Sequence, residues 1–177
     1  LTCGTPGSQA LAAHPLVPRV SLIGSVPTGR AIMRTAADRL KHVPLELGGK
    51  NACIIYPDAD LEKAARGAVG GMNFSWCGQS CGSTSRLFIH ESVYDRVLEG
   101  VLKHVRNHKP GIPTEMDTTM GAIVSRAQME KVLSYIEIGK QEGATLAYGG
   151  KRADDPKLAR GFFVEPAVFT HVTQKVR

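Results

Sequence analysis

The feature that most constrains the fold of this chain is an alternation. Short apolar runs of four or five residues are each followed by a polar or glycine-bearing turn, and then by a stretch with helical periodicity. Residues 20–23 (Val-Ser-Leu-Ile) lead through Gly24 to an Ala-rich segment, 31–40. Residues 52–56 lead through Pro57-Asp58-Ala59-Asp60 to a segment running from 61 to about 74. Residues 86–90 lead to a third such segment, 93–107. Neighbouring parallel strands need a crossover long enough for a helix, so strand–turn–helix repetition predicts an α/β fold with a largely parallel sheet.

The helical segments carry their own start, face and stop signals. Residues 7–14 read as a short helix stopped by Pro15. Asp58 or Asp60 is placed to cap the helix that opens at Leu61, whose Leu61, Ala64, Ala65, Ala68, Val69 and Met72 share one face. Ser92 is placed to cap 93–107, with Val93, Val97, Val101 and Val105 as the buried stripe. After a loop-like stretch, 110–124, Ser125 caps a helix over 126–142, with Met129, Val132, Leu133 and Ile136 inward and Gly143 as its stop. Thr145-Leu146-Ala147-Tyr148 reads as a strand, Gly149-Gly150 as a turn and 151–160 as a polar loop. Residues 162–169 read as a strand bent or placed at an edge by Pro166.

At 177 residues, with 42% apolar and 21% charged side chains, the chain suffices for one domain or for parts of two. The net charge of +6 is spread along the sequence and is not interleaved with aromatic residues, of which there are few, so nucleic acid is not an expected partner. The charge suits attraction of an anionic cofactor. The four cysteines, Cys3, Cys53, Cys77 and Cys81, have no disulfide-framework spacing, and Cys53 lies in an apolar strand-like run. No run reaches the 18 apolar residues needed to span a membrane, and no charged-then-apolar leader is present; a cytoplasmic location and no membrane partner are the expectation.

Three segments carry possible chemistry. The first, 71–86, places Cys81 among small residues between a helical run and a strand; small neighbours leave room for a substrate carbon at the sulfur, and Gly82 lets backbone pass close by. The second puts Glu46 between two leucines in an apolar strand followed by Gly48-Gly49-Lys50. Desolvation there would favour the neutral acid and suit a general base near neutral pH, while an ion pair with Lys50 accounts for the carboxylate equally well. The third is the turn Gly24-Ser25-Val26-Pro27-Thr28-Gly29-Arg30 between strand and helix, an arrangement that presents backbone N–H groups to a phosphate. Arg30 and Ala31 stand where a P-loop needs Lys and Ser or Thr, which argues against an ATPase. A dinucleotide phosphate and a plain structural turn both remain compatible with it.

A rival from another class is zinc. Cys77-x3-Cys81 and His104-x3-His108 supply two thiols and two imidazoles, each His on one face of a helix. Against it, His108 falls at the helix end, and a His pair at this spacing on a surface helix is more often simply solvated.

Leu45-Glu46-Leu47-Gly48-Gly49-Lys50, paired with Phe74-x3-Gly78-Gln79-x-Cys81 about 35 residues on, resembles the aldehyde dehydrogenase superfamily. Gly24-Ser25 with Gly29, Pro57-Asp58-Ala59-Asp60, Ser85-Arg86 and Gly139-Lys140-Gln141-Glu142-Gly143-Ala144 support the likeness, which covers essentially the whole chain. The resemblance implies an internal fragment: residues 1–48 as the end of a Rossmann-type NAD(P)-binding domain, and 49–177 as the first part of an α/β catalytic domain. It implies Cys81 as nucleophile, forming a thiohemiacetal and then a thioester, and Glu46 as the base for hydrolysis to a free acid. It implies the Cys81 backbone N–H as part of the oxyanion site, Gly24, Ser25 and Gly29 near the pyrophosphate, and Leu47 and Gly48 near the nicotinamide of NAD or NADP. A small-molecule aldehyde, a homo-dimeric or homo-tetrameric parent and no metal follow from the same likeness. The early Rossmann strands, the asparagine that completes the oxyanion hole and the later catalytic-domain residues are expected outside this segment. Leu22-Ile23 depart from the aromatic and threonine more usual there. A non-catalytic family descendant is the alternative, against which the retention of both Cys81 and Glu46 counts.

Overall fold

The computed structural model describes residues 4–176, so that Cys3 lies outside the described residues. The chain is α/β and divides into two compact units, Leu1–Gly49 and Lys50–Arg177.

In the first unit, α1 (Thr5–Ala13) ends before Pro15, and the Lys41 ammonium donates to the carbonyls of Ala12 and His14, both at 2.7 Å, tying off its C-terminus. Strand β1 (Leu22–Gly24) pairs in parallel with β2 (Leu45–Leu47), with Ile23 opposite Glu46. Between them α2 spans Val26–Ala37. It starts five residues before the Ala-rich segment begins: Ser25 accepts from the Thr28 N–H, and Pro27, with its preset φ and missing N–H, fits the first turn of a helix. The turn expected over 24–30 is therefore mostly helix.

In the second unit β3 (Ala52–Ile55) pairs in parallel with β4 (Arg86–Ile89). The crossover between them contains α3 (Leu61–Gly71), capped by Asp60, which accepts from the Lys63 N–H. Helix α4 (Tyr94–Val105) packs on α3, and the valine stripe is buried as its spacing predicts: Val97 and Val105 are fully enclosed, with Val93 and Val101 beside them. Its cap differs from expectation. The chain first makes a 3-10 turn, Glu91–Val93, and His90 rather than Ser92 supplies the capping side chain, its Nδ1 accepting from the Ser92 N–H. Helix α5 (Arg126–Gln141) is capped by Ser125 and buries Met129 and Ile136 against Ile123 and Val164. Gly143 at φ +93° ends it.

Strands β5 (Thr145–Gly149) and β6 (Ala167–Thr170) are antiparallel, unlike the parallel order expected, and among the described residues the strands form three separate two-stranded ladders. The connection between β5 and β6 holds a single 3-10 turn, Pro156–Leu158, and no crossover helix, so the chain returns against itself. Among the described residues no helix is long and apolar enough to cross a membrane.

Candidate active site

The segment that carries Cys81 is shaped by three departures from helical geometry. α3 ends at Gly71, short of Phe74, because Asn73 turns left-handed at φ +54° and the Gly71 carbonyl is taken by the Thr84 N–H at 2.9 Å. A 3-10 turn, Phe74–Trp76, follows, and Cys77 and Gly78 are again left-handed at φ +57° and +67°. The Asn73 carbonyl gathers the N–H groups of Trp76 and Gly78, at 2.9 and 3.0 Å, so the chain curls around one oxygen. Phe74 is buried as the apolar anchor of this curl, and Trp76 is exposed.

A second layer of bonds fixes the return path. Buried Ser83 donates from Oγ to the Met72 carbonyl at 2.9 Å. Gln79 accepts through Oε1 from the Val124 N–H at 3.1 Å, which fastens the loop to the segment before α5. Asn73 donates from Nδ2 to Ser80 Oγ at 3.2 Å, and the same oxygen accepts from the Gly82 N–H at 3.2 Å. Asn51, just before β3, donates from Nδ2 to the Cys81 carbonyl at 2.7 Å. Asn51, Asn73 and Ser80 were not singled out from the sequence; polar residues in loops are common, and only the fold brings them to the Cys81 peptide.

The three cysteines among the described residues are all free thiols with different surroundings. Cys81 is exposed in its turn, whereas Cys53 and Cys77 are half-buried. Cys77 donates to the carbonyls of Gly121 at 3.1 Å and Ala122 at 3.4 Å. Burial pushes its thiol above the ordinary value, and the Gly121 contact offsets this only in part. A thiol held protonated and turned to backbone acceptors is a poor nucleophile, which leaves Cys81 as the accessible one.

Glu46 lies in the middle of β2, in the other unit, and it is exposed while Leu45 and Leu47 are half-buried. Burial between two leucines was the expectation; the period-2 alternation of a strand sends the middle residue to the opposite side. Among the described residues no ion pair joins Glu46 to Lys50, and the Lys50 carbonyl accepts from Arg86 Nε at 2.9 Å.

Gly24 and Ser25 open α2 and are exposed, with Ser25 Oγ 2.9 Å from Thr28 Oγ1. Gly29 is buried within the first turns of α2, where a Cβ would lie 3.0 Å from the Leu47 side chain. Its lack of a side chain thus lets α2 lie on β2, a packing role that a turn residue would not have. Around Gly48 nothing stands within 4 Å of where a Cβ would point.

The zinc constellation does not assemble. Among the described residues no group of three or more His, Cys, Asp or Glu side chains is placed to hold a metal ion. His104 instead meets Glu62 at 3.0 Å, across from α4 to α3. His108 packs its ring on Phe74, centroids 5.4 Å apart, and its buried Nδ1 has no hydrogen-bond partner.

The model of the aldehyde dehydrogenase family matches residues 2–177. The aldehyde dehydrogenase tropH of Talaromyces stipitatus is 49% identical over 178 residues, covering 98% of this chain and 35% of that protein. A betaine aldehyde dehydrogenase of Brucella anthropi is 48% identical over 164 residues, covering 93% of this chain and 34% of its own length. Among solved structures, betaine aldehyde dehydrogenase of Staphylococcus aureus in complex with NAD+ superposes with a TM-score of 0.92 at 38% identity, over 100% of this chain and 35% of that one. The NAD+ complex of aldehyde dehydrogenase from Bacillus cereus superposes with a TM-score of 0.86 at 46% identity, over 93% of this chain and 33% of that one. The chain spans about a third of the length of the relatives it matches.

Proposed function

The chain belongs to the aldehyde dehydrogenase family, and on that premise we propose that the protein containing it oxidises an aldehyde to a carboxylic acid with a nicotinamide dinucleotide, Cys81 being the nucleophile and Glu46 the general base. The observation that carries this reading is the contrast between the thiols: Cys81 alone of the described cysteines is exposed, and it sits on a turn held by hydrogen bonds on both sides.

In this reading the Cys81 thiolate attacks the aldehyde carbon and forms a C–S bond, giving a thiohemiacetal whose alkoxide faces the Cys81 backbone N–H. Loss of hydride from that carbon leaves a thioester. Glu46 then takes a proton from water as the water adds to the thioester carbonyl, and collapse of that adduct expels the Cys81 thiolate and the acid. The exposed position of Glu46 on β2 keeps it open to water, as a hydrolytic base requires.

The residues present fit a dinucleotide. An exposed glycine, Gly24, leads into the N-terminus of the capped helix α2, whose positive end suits a pyrophosphate; Gly29 supports that turn by letting α2 seat on Leu47. Leu47 and Gly48 would line the nicotinamide end. When bound, the cofactor supplies the hydride acceptor. Two relatives of known structure, those of Staphylococcus aureus and Bacillus cereus, were solved with NAD+, which supports NAD or NADP here. On the same reading residues 1–48 close a dinucleotide-binding domain and 49–177 open the catalytic domain, in a parent that assembles as a homo-dimer or homo-tetramer and works in the cytoplasm.

The test is transient kinetics on the full-length protein. Cys81→Ala should lower turnover by at least about 10³-fold. Glu46→Gln should preserve the first burst of reduced cofactor while slowing steady-state turnover by about 10²-fold, since thioester formation precedes the step the base assists. Intact turnover in Cys81→Ala, or a Glu46→Gln enzyme with unchanged steady state, would overturn the corresponding assignment.

A further inference from the structure

The peptide bond that follows Cys81 is gripped at both of its polar atoms. Its carbonyl, that of Cys81, accepts from Asn51 Nδ2 at 2.7 Å. Its N–H, that of Gly82, donates to Ser80 Oγ at 3.2 Å, and Ser80 Oγ is itself held by Asn73 Nδ2 at 3.2 Å. A peptide plane between an exposed cysteine and an exposed glycine is otherwise loosely held, because Gly82 places no side chain against rotation on its own side. The two grips do not come from the loop alone. Asn51 stands at the foot of the β3–β4 ladder, where its own carbonyl accepts from the Arg86 N–H at 3.1 Å. The preceding carbonyl, that of Lys50, accepts from Arg86 Nε at 2.9 Å, so the residue bearing the carboxamide is anchored on both sides.

We propose that Asn51 is a positioning residue for the Cys81 nucleophile: with Ser80 it clamps the Cys81–Gly82 peptide and so fixes the direction from which the thiol is presented to the aldehyde carbon. This rests on the reading of Cys81 given above. Asn51 acts through the Cys81 peptide: its carboxamide ties the turn, at the one carbonyl beside the thiol, to the parallel ladder. Attack on a carbonyl is steeply sensitive to alignment, so release of the clamp falls on the chemical step rather than on binding.

The full-length protein with Asn51→Ala, Asn51→Asp and Ser80→Ala substitutions tests this. Asn51→Asp keeps the shape and loses the donor at neutral pH, facing the Cys81 carbonyl with a second acceptor. Both Asn51 variants should lower kcat roughly tenfold with KM changed by less than about threefold. Backbone amide exchange over 78–84 should become several-fold faster in them, while exchange in 52–55 and 86–89 stays as in the unaltered protein. Ser80→Ala should speed exchange over the same segment, and Ser80→Thr, which keeps the hydroxyl, should restore it. An Asn51→Asp protein with unaltered kcat and unaltered exchange over 78–84, beside an inactive Cys81→Ala, would overturn the clamp and leave the proposed function standing. Full turnover by Cys81→Ala would overturn both, and exchange alone would then report whether the two bonds hold the turn.

Discussion

His108 packs its ring on Phe74 and keeps a buried nitrogen, Nδ1, without a hydrogen-bond partner. Spaced four from His104, it invited a shared ligand face, yet the two rings serve different neighbours: His104 an exposed carboxylate, His108 the buried ring of Phe74. Burial holds the His108 pKa below its ordinary value, and the buried Nδ1 has no acceptor for the proton it would carry on ionising. The folded state therefore favours the neutral ring. Its contribution to stability is fully present above the unfolded value, near 6.5, and is lost as pH falls through the lower folded value. His108→Phe removes the orphaned nitrogen, keeps an aromatic partner for Phe74, and should stabilise the second unit by about 1 kcal/mol. It should also flatten the loss of stability below pH 6.5, read by urea midpoints measured from pH 5 to 8. An unchanged acid limb in the variant would place the source of that limb elsewhere.

Among the elements, the α3–α4 pair shows what periodicity reveals and what it hides. The valine stripe of α4 and the small-residue face of α3 were both legible, because spacing alone decides which side of a helix is apolar. What spacing cannot give is how closely the two helices approach. A Cβ built on Gly100 would lie 2.7 Å from the Ala65 Cβ, and Ala65 is buried with no flexible side chain to move aside. Two effects of Gly100→Ala then oppose each other. Alanine gains about 1 kcal/mol of helix propensity over glycine, whereas forcing a methyl into a packed seam costs about 1–3 kcal/mol. The seam should win, with a net loss of about 1 kcal/mol in a thermal or urea melt. A stabilised Gly100→Ala would mean that the helices separate without penalty. The helix ends were less legible than the faces. α3 stops at Gly71 and α2 starts at Val26 because of bonds made by Thr84 and Ser25, and no window of apolar spacing contains them. The same holds for the proposed clamp on Cys81: the thiol stood out in the sequence by its small neighbours, whereas Asn51 lies thirty residues away and is brought to the Cys81 carbonyl by the fold.

Across the whole chain, the two units differ in how much apolar surface each encloses. The second contains two buried clusters, one built on α3, α4 and β3 and one around α5. In the first, Ala36 is the one buried apolar side chain among the described residues, and Ile23 and Leu40 stand 80% and 93% exposed. A two-stranded ladder with one small residue enclosed gains little from apolar burial, and an isolated pair of strands is marginal in water. The units should therefore open independently when these 177 residues are studied as a chain on their own. Amides of residues 22–24 and 45–47 should exchange with deuterium at nearly the rate of an unstructured peptide. Those of 52–55, 86–89 and 97–105 should be slowed by orders of magnitude, because their opening requires loss of the Val97 and Val105 contacts. That pattern would place Cys81 on the stable side of the chain and Glu46 on the labile side. The thiol would then keep its turn in a chain whose candidate base is free to move. Uniform protection across both units would instead mean that the chain unfolds as one cooperative body, and that the first unit draws its stability from more than the side chains it encloses.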